Sequence, residues 1–401
     1  MNKFDNIFNL QCILKMVLIF DNIYGYIPYS DIETRFLDSL WVKRLKRVKQ
    51  LGLLDHVFPS ASHSRFEHSV GVSYLAENYI NILKKNSVNF NPSKEDIMCV
   101  KLAGLLHDVG HGPFSHVFDN IVIKKQTKKH EERSKDIVEL IFKEIGTSSG
   151  FSSAYIIDSI KQMIEPDSDI YTKNALFNIV NNSINSIDVD KLDYLQRDPR
   201  HIGLDYSFDP SRILNKSFIK NNEIIYSSSL SSNILDMFLT RYRFHKDIYN
   251  HKTVKLIEVM LGDALLYADN YYNFSDISSS DLLKYDDSIY NTLLFTDNKE
   301  LYQSKNIIER IEKRNLYKQL WTGSSSSDEI EDLTSDKFPD CKSTDLRTIS
   351  MKFNYCNGNS SPLNNIKFET DGSIIKGDTI YIDKLMPSVY EEKTFMIYSI
   401  K

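Results

Sequence analysis

The chain has 401 residues, of which 41% are hydrophobic and 26% charged, and these globular proportions exclude collagen-like repetition and wholesale disorder. Its 49 basic and 54 acidic side chains give a formal charge of -5, which argues against binding of duplex nucleic acid along a broad basic face. The four cysteines form no CxxC pair, and no apolar run is long enough for a membrane span. We therefore expect a cytoplasmic protein that contacts no membrane and uses no disulfide framework.

Helical periodicity dominates most of the chain. Apolar residues at helical spacing predict one helix around residues 72–83. Ser93, with an acid three residues later, has the pattern of a capping box and predicts the start of the next helix. Two further helices are predicted over residues 183–197 and 233–267.

Beyond residue 320 the pattern changes. Residues 324–327 are four serines, and from there to residue 340 six acidic side chains face a single lysine, which predicts an exposed linker. Short runs between Gly and Asn turns then predict β-strands at 351–355, 366–369, 379–382 and 395–400. The predicted fold class is mainly α, with a large helical core and a small α+β C-terminal lobe.

The adjacent pair His107 and Asp108 stands at the end of an apolar helix. Burying that carboxylate without a counter-charge is costly, so a metal or a cationic partner is implied. His68 and Asp190 are the candidate partners, and two imidazoles with two carboxylates suit Fe, Mn or Zn better than Ca. The alternative is a helix end that carries an ordinary surface pair.

Polar side chains also recur at i, i+4 and i+8 on two predicted helices. The first stripe is Asp190, Tyr194 and Asp198 beside Lys191, and the second is Arg241, His245 and Tyr249. These faces predict the walls of a polar, phosphate-sized pocket, and two solvated helix surfaces are the alternative. His111, His116 and His130, the last followed by Glu131, are candidate general acids near a bound cation.

The spacing of His68, His107-Asp108 and Asp190 resembles the H…HD…D signature of HD-domain phosphohydrolases. The strings FPSASHSRFEHS at 58–69, HDVGHGPFSH at 107–116 and IDVDKLDY at 187–194 are more specific, and they resemble the deoxynucleoside triphosphate (dNTP) triphosphohydrolase branch. The similarity runs from about Met16 to the C-terminus and is greatest to animal members that join a SAM domain to the HD domain. We expect no SAM domain here. The implied units are an extension at 1–15, an HD-type helical catalytic core at 16–322, a linker at 323–345 and a C-terminal lobe at 346–401.

The resemblance implies a role for each matching residue. The metal ligands would be His68, His107, Asp108 and Asp190. The substrate contacts would be Arg65, Lys191, Tyr194 and Arg241 at the triphosphate and Gln50, Leu51, Asp198 and Tyr249 around the sugar, with His245 as a further substrate-binding residue. His111, His116, His130 and Glu131 match the catalytic positions, and His116, with His111 as its rival, would protonate the departing 5′-oxygen.

The implied reaction is metal-assisted hydrolysis of a dNTP to a deoxynucleoside and inorganic triphosphate, with Mg²⁺ accompanying the triphosphate. An HD-type phosphohydrolase of another nucleotide, or a non-catalytic binder of nucleotides or single-stranded nucleic acid, are the alternatives. The basic run at 43–49 is typical of a nuclear-localisation or nucleic-acid patch, but Trp41, Leu45 and Val48 also give it the spacing of an amphipathic helix. Nuclear location therefore stays an alternative.

The resemblance also implies a homo-oligomer, a dimer or a tetramer, with GTP or dNTP activators. Its activator contacts would be Asp38, Lys43, Lys46 and Arg314 in one pocket and Arg212, His251 and Lys252 in the adjoining one. Val17, Phe20, Ser227 and Ser229 stand where relatives carry mostly basic residues. Because lost cations weaken the binding of a highly charged ligand, we expect weak, altered or dispensable activation.

Overall fold

The computed structural model describes residues 16–123, 128–146, 154–167, 174–204, 208–324, 338, 341–379, 387 and 389–400. Helices predominate, which confirms the mainly α prediction. The α-helices of these residues are α1 (Asp31–Asp38), α2 (Leu40–Arg44), α3 (Arg65–Asn86), α4 (Lys94–Leu106), α5 (His130–Ile145), α6 (Ala154–Ile164), α7 (Val189–Ile202), α8 (Ser211–Asn215), α9 (Ser231–Arg243), α10 (Lys252–Tyr267), α11 (Asp269–Tyr272), α12 (Ile289–Leu294) and α13 (Tyr302–Glu312). None of them combines the length and apolar character that a membrane-spanning helix needs.

The packing of α3 against α4 brings together two of the sequence motifs, the one at 58–69 and the one at 107–116. As predicted, α4 begins with a capping box, in which Ser93 Oγ accepts from the Asp96 amide at 3.0 Å and the Asp96 carboxylate accepts from the Ser93 amide at 2.8 Å. Gly104 lets the two helices pack closely, because a Cβ there would lie 3.0 Å from Ser73 Cα. This close packing sets the first turn of α3 beside the residues that follow α4.

The predicted helix at 183–197 begins too early and ends too soon, since α7 spans Val189–Ile202. Residues before it form a turn in which Asn182 Oδ1 accepts from two backbone amides, and Ser186 has a φ of 61°. Asp188 then caps α7 by accepting from the Lys191 amide at 3.0 Å. Side-chain bonds of this kind compete with helix formation, and the apolar spacing does not reveal them.

The predicted continuous helix at 233–267 is wrong. The α9 helix passes into a π-helical turn, Phe244–Tyr249, and the chain leaves helical geometry at Asn250 and His251 before α10 begins. The Asn250 side chain donates to the His245 carbonyl at 2.6 Å and so closes the wider turn. Such π-helical turns are common at functional sites, and this one carries two predicted substrate residues.

The strands form three small sheets in the described part of the chain. They are β1 (Val17–Asp21), β2 (Gly25–Tyr29), β3 (Ser217–Lys220), β4 (Glu223–Ser227), β5 (Lys318–Gly323), β6 (Leu346–Asn354), β7 (Lys367–Thr370), β8 (Ser373–Lys376) and β9 (Glu391–Ser399). Their orders are β1-β2, β3-β4-β7-β8 and β5-β9-β6, and within these sheets only β4 and β7 pair in parallel.

Three of the predicted C-terminal strands overlap β6, β7 and β9, whereas most of the predicted strand at 379–382 lies outside the described residues. Both C-terminal sheets also include strands that precede the predicted linker, β4 in one and β5 in the other. Leu105, Leu195, Ile257 and Phe368 belong to a single buried hydrophobic core, which holds the helices and the C-terminal strands together. The exact domain limits stay a prediction.

Candidate active site

Three side chains from three segments meet at one point. His68 lies in the first turn of α3, His107 follows α4, and Asp190 lies in the first turn of α7. The Nε2 atom of His68 is 3.0 Å from Oδ1 of Asp190 and 3.3 Å from Nε2 of His107. We call these residues the metal-ligand group, because their spacing can hold a metal ion.

The outer nitrogen of each imidazole in this group is already engaged. Nδ1 of His107 is 2.8 Å from the Gly104 carbonyl oxygen, and Nδ1 of His68 is 2.8 Å from Oδ2 of Asp193. These acceptors hold a proton on Nδ1 and direct both Nε2 atoms inward, as metal-binding histidines require. Burial opposes a charge on His68, but Asp190 and Asp193 raise its pKa to about 10, so a metal ion would displace a proton there. The donor set therefore fits a divalent transition metal.

Asp108 lies between this group and the candidate acids. Its Oδ2 accepts from Arg65 and is 3.8 Å from Nε2 of His68, while its Oδ1 is 3.4 Å from Nε2 of both His107 and His111. Although burial opposes ionisation, Arg65 and the histidines hold the pKa of Asp108 well below its usual range. Asp108 also forms a second possible cation-binding group with His111 and His130.

The predicted acids His111, His116 and His130 form a second unit, the histidine cluster. The rings of His111 and His130 stack at 3.9 Å, and the His116 ring meets His111 edge-on at 5.4 Å. Glu131 Oε2 is 3.3 Å from Nδ1 of His130. His116 is itself exposed, and desolvation by the protein around it, together with the charges of His111 and Arg65, lowers the pKa of this imidazole below its ordinary value.

The two polar stripes face each other, as the walls of one site would. Lys191 Nζ donates to Asp188 at 2.7 Å, and the Arg241 guanidinium pairs with the Tyr194 hydroxyl. Among the described residues, Nε of Arg241 is buried without a hydrogen-bond partner, so it is free to bind a ligand atom. Together with Arg65, these bases form what we call the cationic wall.

Asp198 lies further along α7 and is 1% exposed. It accepts from Tyr249, and one of its oxygens is 2.9 Å from Nε2 of His63. The His245 ring meets that of Tyr249 at 5.2 Å, and burial, Arg241 and His116 lower the pKa of His245 well below its usual value. One base of the cationic wall and one member of the histidine cluster therefore both act electrostatically on His245.

The remaining predicted substrate residues lie beside these. The backbone amide of Gln50 donates to the backbone carbonyl of His63 at 2.9 Å, and Nη2 of Arg65 is 3.5 Å from the backbone carbonyl oxygen of Gln50. Leu51 packs against a small apolar cluster with Tyr249. All the residues predicted for metal, substrate and catalysis thus belong to one connected region.

The predicted activator residues are distributed over the surface. In the first predicted pocket, Lys43 forms an ion pair with Asp38 at 2.9 Å, and Lys46 Nζ lies 4.5 Å from the centre of the Phe66 ring. Arg314 donates a hydrogen bond to the backbone carbonyl of His56. In the second, the His251 ring lies edge-on to the Phe58 ring, with 6.0 Å between the ring centres, and Lys252 is the first residue of α10. Arg212 is exposed on α8, and its backbone carbonyl accepts from the Lys216 amide at 3.2 Å.

Of the amphipathic alternative for residues 43–49, the apolar side is found, since Trp41, Leu45 and Val48 are buried. Helical structure ends at Arg47, and Arg44 is completely buried, where it donates to the His111 carbonyl, so it does not belong to an exposed basic side. The nuclear alternative stays a prediction.

Three side chains of this site, two buried and one partly buried, escaped the sequence reasoning. Asp193 follows Asp190 at i+3, so helical spacing could have identified it, whereas His63 lies outside any regular periodic segment. Asp119, whose Oδ2 is 3.3 Å from Nδ1 of His111, is held by Arg133. Nothing in its local pattern indicated that contact.

Comparisons with known proteins agree with this geometry. Residues 65–198 match the HD domain and residues 208–350 the HD associated region. The chain is 33% identical to an HD domain-containing protein of Acanthamoeba polyphaga mimivirus, over 94% of this chain and 91% of that protein. It is 31% identical to the deoxynucleoside triphosphate triphosphohydrolase SAMHD1 homolog of Dictyostelium discoideum (99% and 80% covered) and 30% identical to SAMHD1 of Xenopus laevis (94% and 70%). The chain therefore belongs to the family of HD-domain phosphohydrolases that includes the SAMHD1 proteins, and it is a phosphohydrolase enzyme.

Proposed function

We propose that this enzyme hydrolyses dNTPs to a deoxynucleoside and inorganic triphosphate. The observation that carries the proposal is the metal-ligand group together with the three bases of the cationic wall, of which Arg65 pairs with Asp108 and Lys191 directly follows Asp190. The names of the Dictyostelium and Xenopus relatives support the same substrate. A chain with overall negative charge needs such a local cationic surface to attract a polyanion.

His68, His107, Asp108 and Asp190 would hold the divalent transition metal, and Mg²⁺ would accompany the triphosphate. When bound, a divalent cation polarises a phosphate oxygen and lowers the pKa of water. Arg65, Lys191 and Arg241 neutralise phosphate oxygens. Tyr194 donates a hydrogen bond, and Asp198 accepts one from the 3′-hydroxyl of the sugar.

The histidine cluster supplies the proton for the leaving group. Its surroundings lower the pKa of His116 in the ligand-free chain, so the negative charge of a bound triphosphate must first raise that pKa. As water adds to the α-phosphorus and the bond from that phosphorus to the 5′-oxygen breaks, His116 protonates the departing oxygen, with His111 as the alternative donor. Asp119 and Glu131, each 3.3 Å from the Nδ1 atom of one member, hold His111 and His130 of this cluster in place.

The direct test is chromatography of the products from each of the four dNTPs, over a metal series and with or without GTP. We expect inorganic triphosphate and a deoxynucleoside. Monophosphate or pyrophosphate would instead indicate another HD-type reaction, and binding without turnover would indicate a nucleotide or single-stranded nucleic acid binder.

Because Val17 and Phe20 are 41% and 67% exposed apolar residues in the predicted activator region, we propose that assembly to a homotetramer is not strictly GTP-dependent. Strict dependence in light scattering would refute that.

Replacing Arg241 with alanine is expected to raise KM by roughly thirtyfold, since a charged hydrogen bond is worth about 2 kcal/mol. Metal content should not change, because Arg241 contacts none of the metal-ligand group. Arg243→Ala is the matched control, since Arg243 lies two residues away on the same helix and is exposed. Equal KM values for the two variants in steady-state assays would contradict the role of the cationic wall.

A further inference from the structure

Asp193 lies directly behind the metal-ligand group and is itself completely buried. Its Oδ2 is 2.8 Å from Nδ1 of His68 and accepts from Nε of Arg197 at 2.8 Å. Its Oδ1 accepts from Nη2 of Arg197 at 3.0 Å. The Asp193 carboxylate thus fixes the orientation of the His68 ring, and Arg197 holds that carboxylate at both oxygens.

The same network extends to the turn of the N-terminal β1–β2 hairpin. The Tyr24 hydroxyl donates to Oδ1 of Asp193 at 2.9 Å, and Nη1 of Arg197 donates to Oδ2 of Asp21 at 2.9 Å. The other Asp21 oxygen accepts from the backbone amides of Ile23 and Tyr24, at 2.8 and 3.0 Å. An unbroken hydrogen-bonded path therefore runs from the hairpin turn to His68.

The neighbouring residues leave space for this network and hold Tyr24 in it. A Cβ at Gly71 would lie 2.2 Å from both Arg197 Nη2 and Asp193 Oδ1, so α3 approaches α7 only because this residue has no side chain. The Tyr24 ring stacks on Tyr74 at 4.8 Å. Tyr24 therefore has one well-defined position, with its hydroxyl directed at Asp193.

We infer that the hairpin turn is part of the metal centre, with Tyr24 and Asp21 as positioning residues that act on His68 through Asp193 and Arg197. The inference rests on the proposed metal site and adds a segment that none of the three metal-binding motifs contains. Because coupling between two sites is reciprocal, metal binding also holds the hairpin turn in place. Metal affinity then depends on a turn on the surface of the protein.

The test compares Tyr24→Phe with Tyr26→Phe, measuring the Kd for Mn²⁺ by competition with a chelator. Tyr26 lies on the same hairpin and is 69% exposed, so its variant loses a hydroxyl that contacts none of this network. We expect about tenfold weaker Mn²⁺ binding for Tyr24→Phe, as is usual for partners of metal-binding histidines, and no change for Tyr26→Phe. Amide exchange at residues 21–25 should slow on addition of Mn²⁺ in the wild type and less in Tyr24→Phe.

A purely structural role for Tyr24 would give a different result. It would lower the Tm of the metal-free and Mn²⁺-bound proteins equally, whereas positioning of His68 reduces the increase in Tm that Mn²⁺ produces. Wild-type Mn²⁺ affinity in Tyr24→Phe would overturn the inference while leaving the proposed metal site intact. If instead His107→Ala bound Mn²⁺ as tightly as the wild type, the proposed site and this inference would both fail.

Discussion

The double replacement of His107 and Asp108 by alanine is expected to abolish dNTP hydrolysis, by about a thousandfold or more, while the helical core stays folded. It removes one member of the metal-ligand group and the carboxylate that links this group to the histidine cluster. The fold should persist because the two residues follow α4 rather than contribute to the buried apolar face of that helix. Initial rates, metal content and circular dichroism of the purified variant are the measurements.

Asp158→Ala provides the control, because Asp158 is an exposed acid on α6, distant in sequence from the metal-binding motifs. It should keep both its metal and its activity. If the double variant kept substantial turnover, chemistry at this site would be excluded. If it bound dNTPs without hydrolysing them, the wall and the metal-ligand group would be shown to have separable roles.

The substitution Gly110→Ala is expected to cost about 3 kcal/mol of unfolding free energy and at least roughly a hundredfold in hydrolysis. A Cβ at Gly110 would lie 2.2 Å from the His130 carbonyl oxygen and 2.5 Å from the Ser134 amide nitrogen. Both are backbone atoms, so relief requires α5 to move. That movement would carry His130 and Glu131 away from His111.

Urea unfolding and steady-state kinetics measure the two effects of Gly110→Ala. The matched control is Gly372→Ala, where φ is +83° and a Cβ would meet nothing within 4 Å. Backbone strain in Gly372→Ala should lower the free energy of unfolding by only about 1 kcal/mol, and the rate of hydrolysis should not change. Similar stability and activity in the two variants would show that α5 does not depend on close packing at Gly110.

Much of the fold follows from local patterns. The capping box at Ser93 and the apolar spacing after it define α4, because both act within one helical turn. The helix predicted through residue 250 breaks instead, since a π-helical turn and the Asn250 side chain offer the backbone another set of hydrogen bonds. Periodicity reports which face is apolar, and it does not report such competing bonds.

The sequence by itself determined the family, and with it the class of phosphohydrolase enzyme, because His68, His107, Asp108 and Asp190 stand in recognisable motifs. Only the tertiary structure decided which side chains support them. Asp193 accepts a hydrogen bond from Tyr24, which lies 169 residues away in the sequence, and His63 contacts Asp198, which lies 135 residues away. A carboxylate that is buried on folding loses its hydrogen bonds to water and needs donors from the protein. Here folding brings those donors from segments that are distant in the sequence, so local patterns do not reveal them.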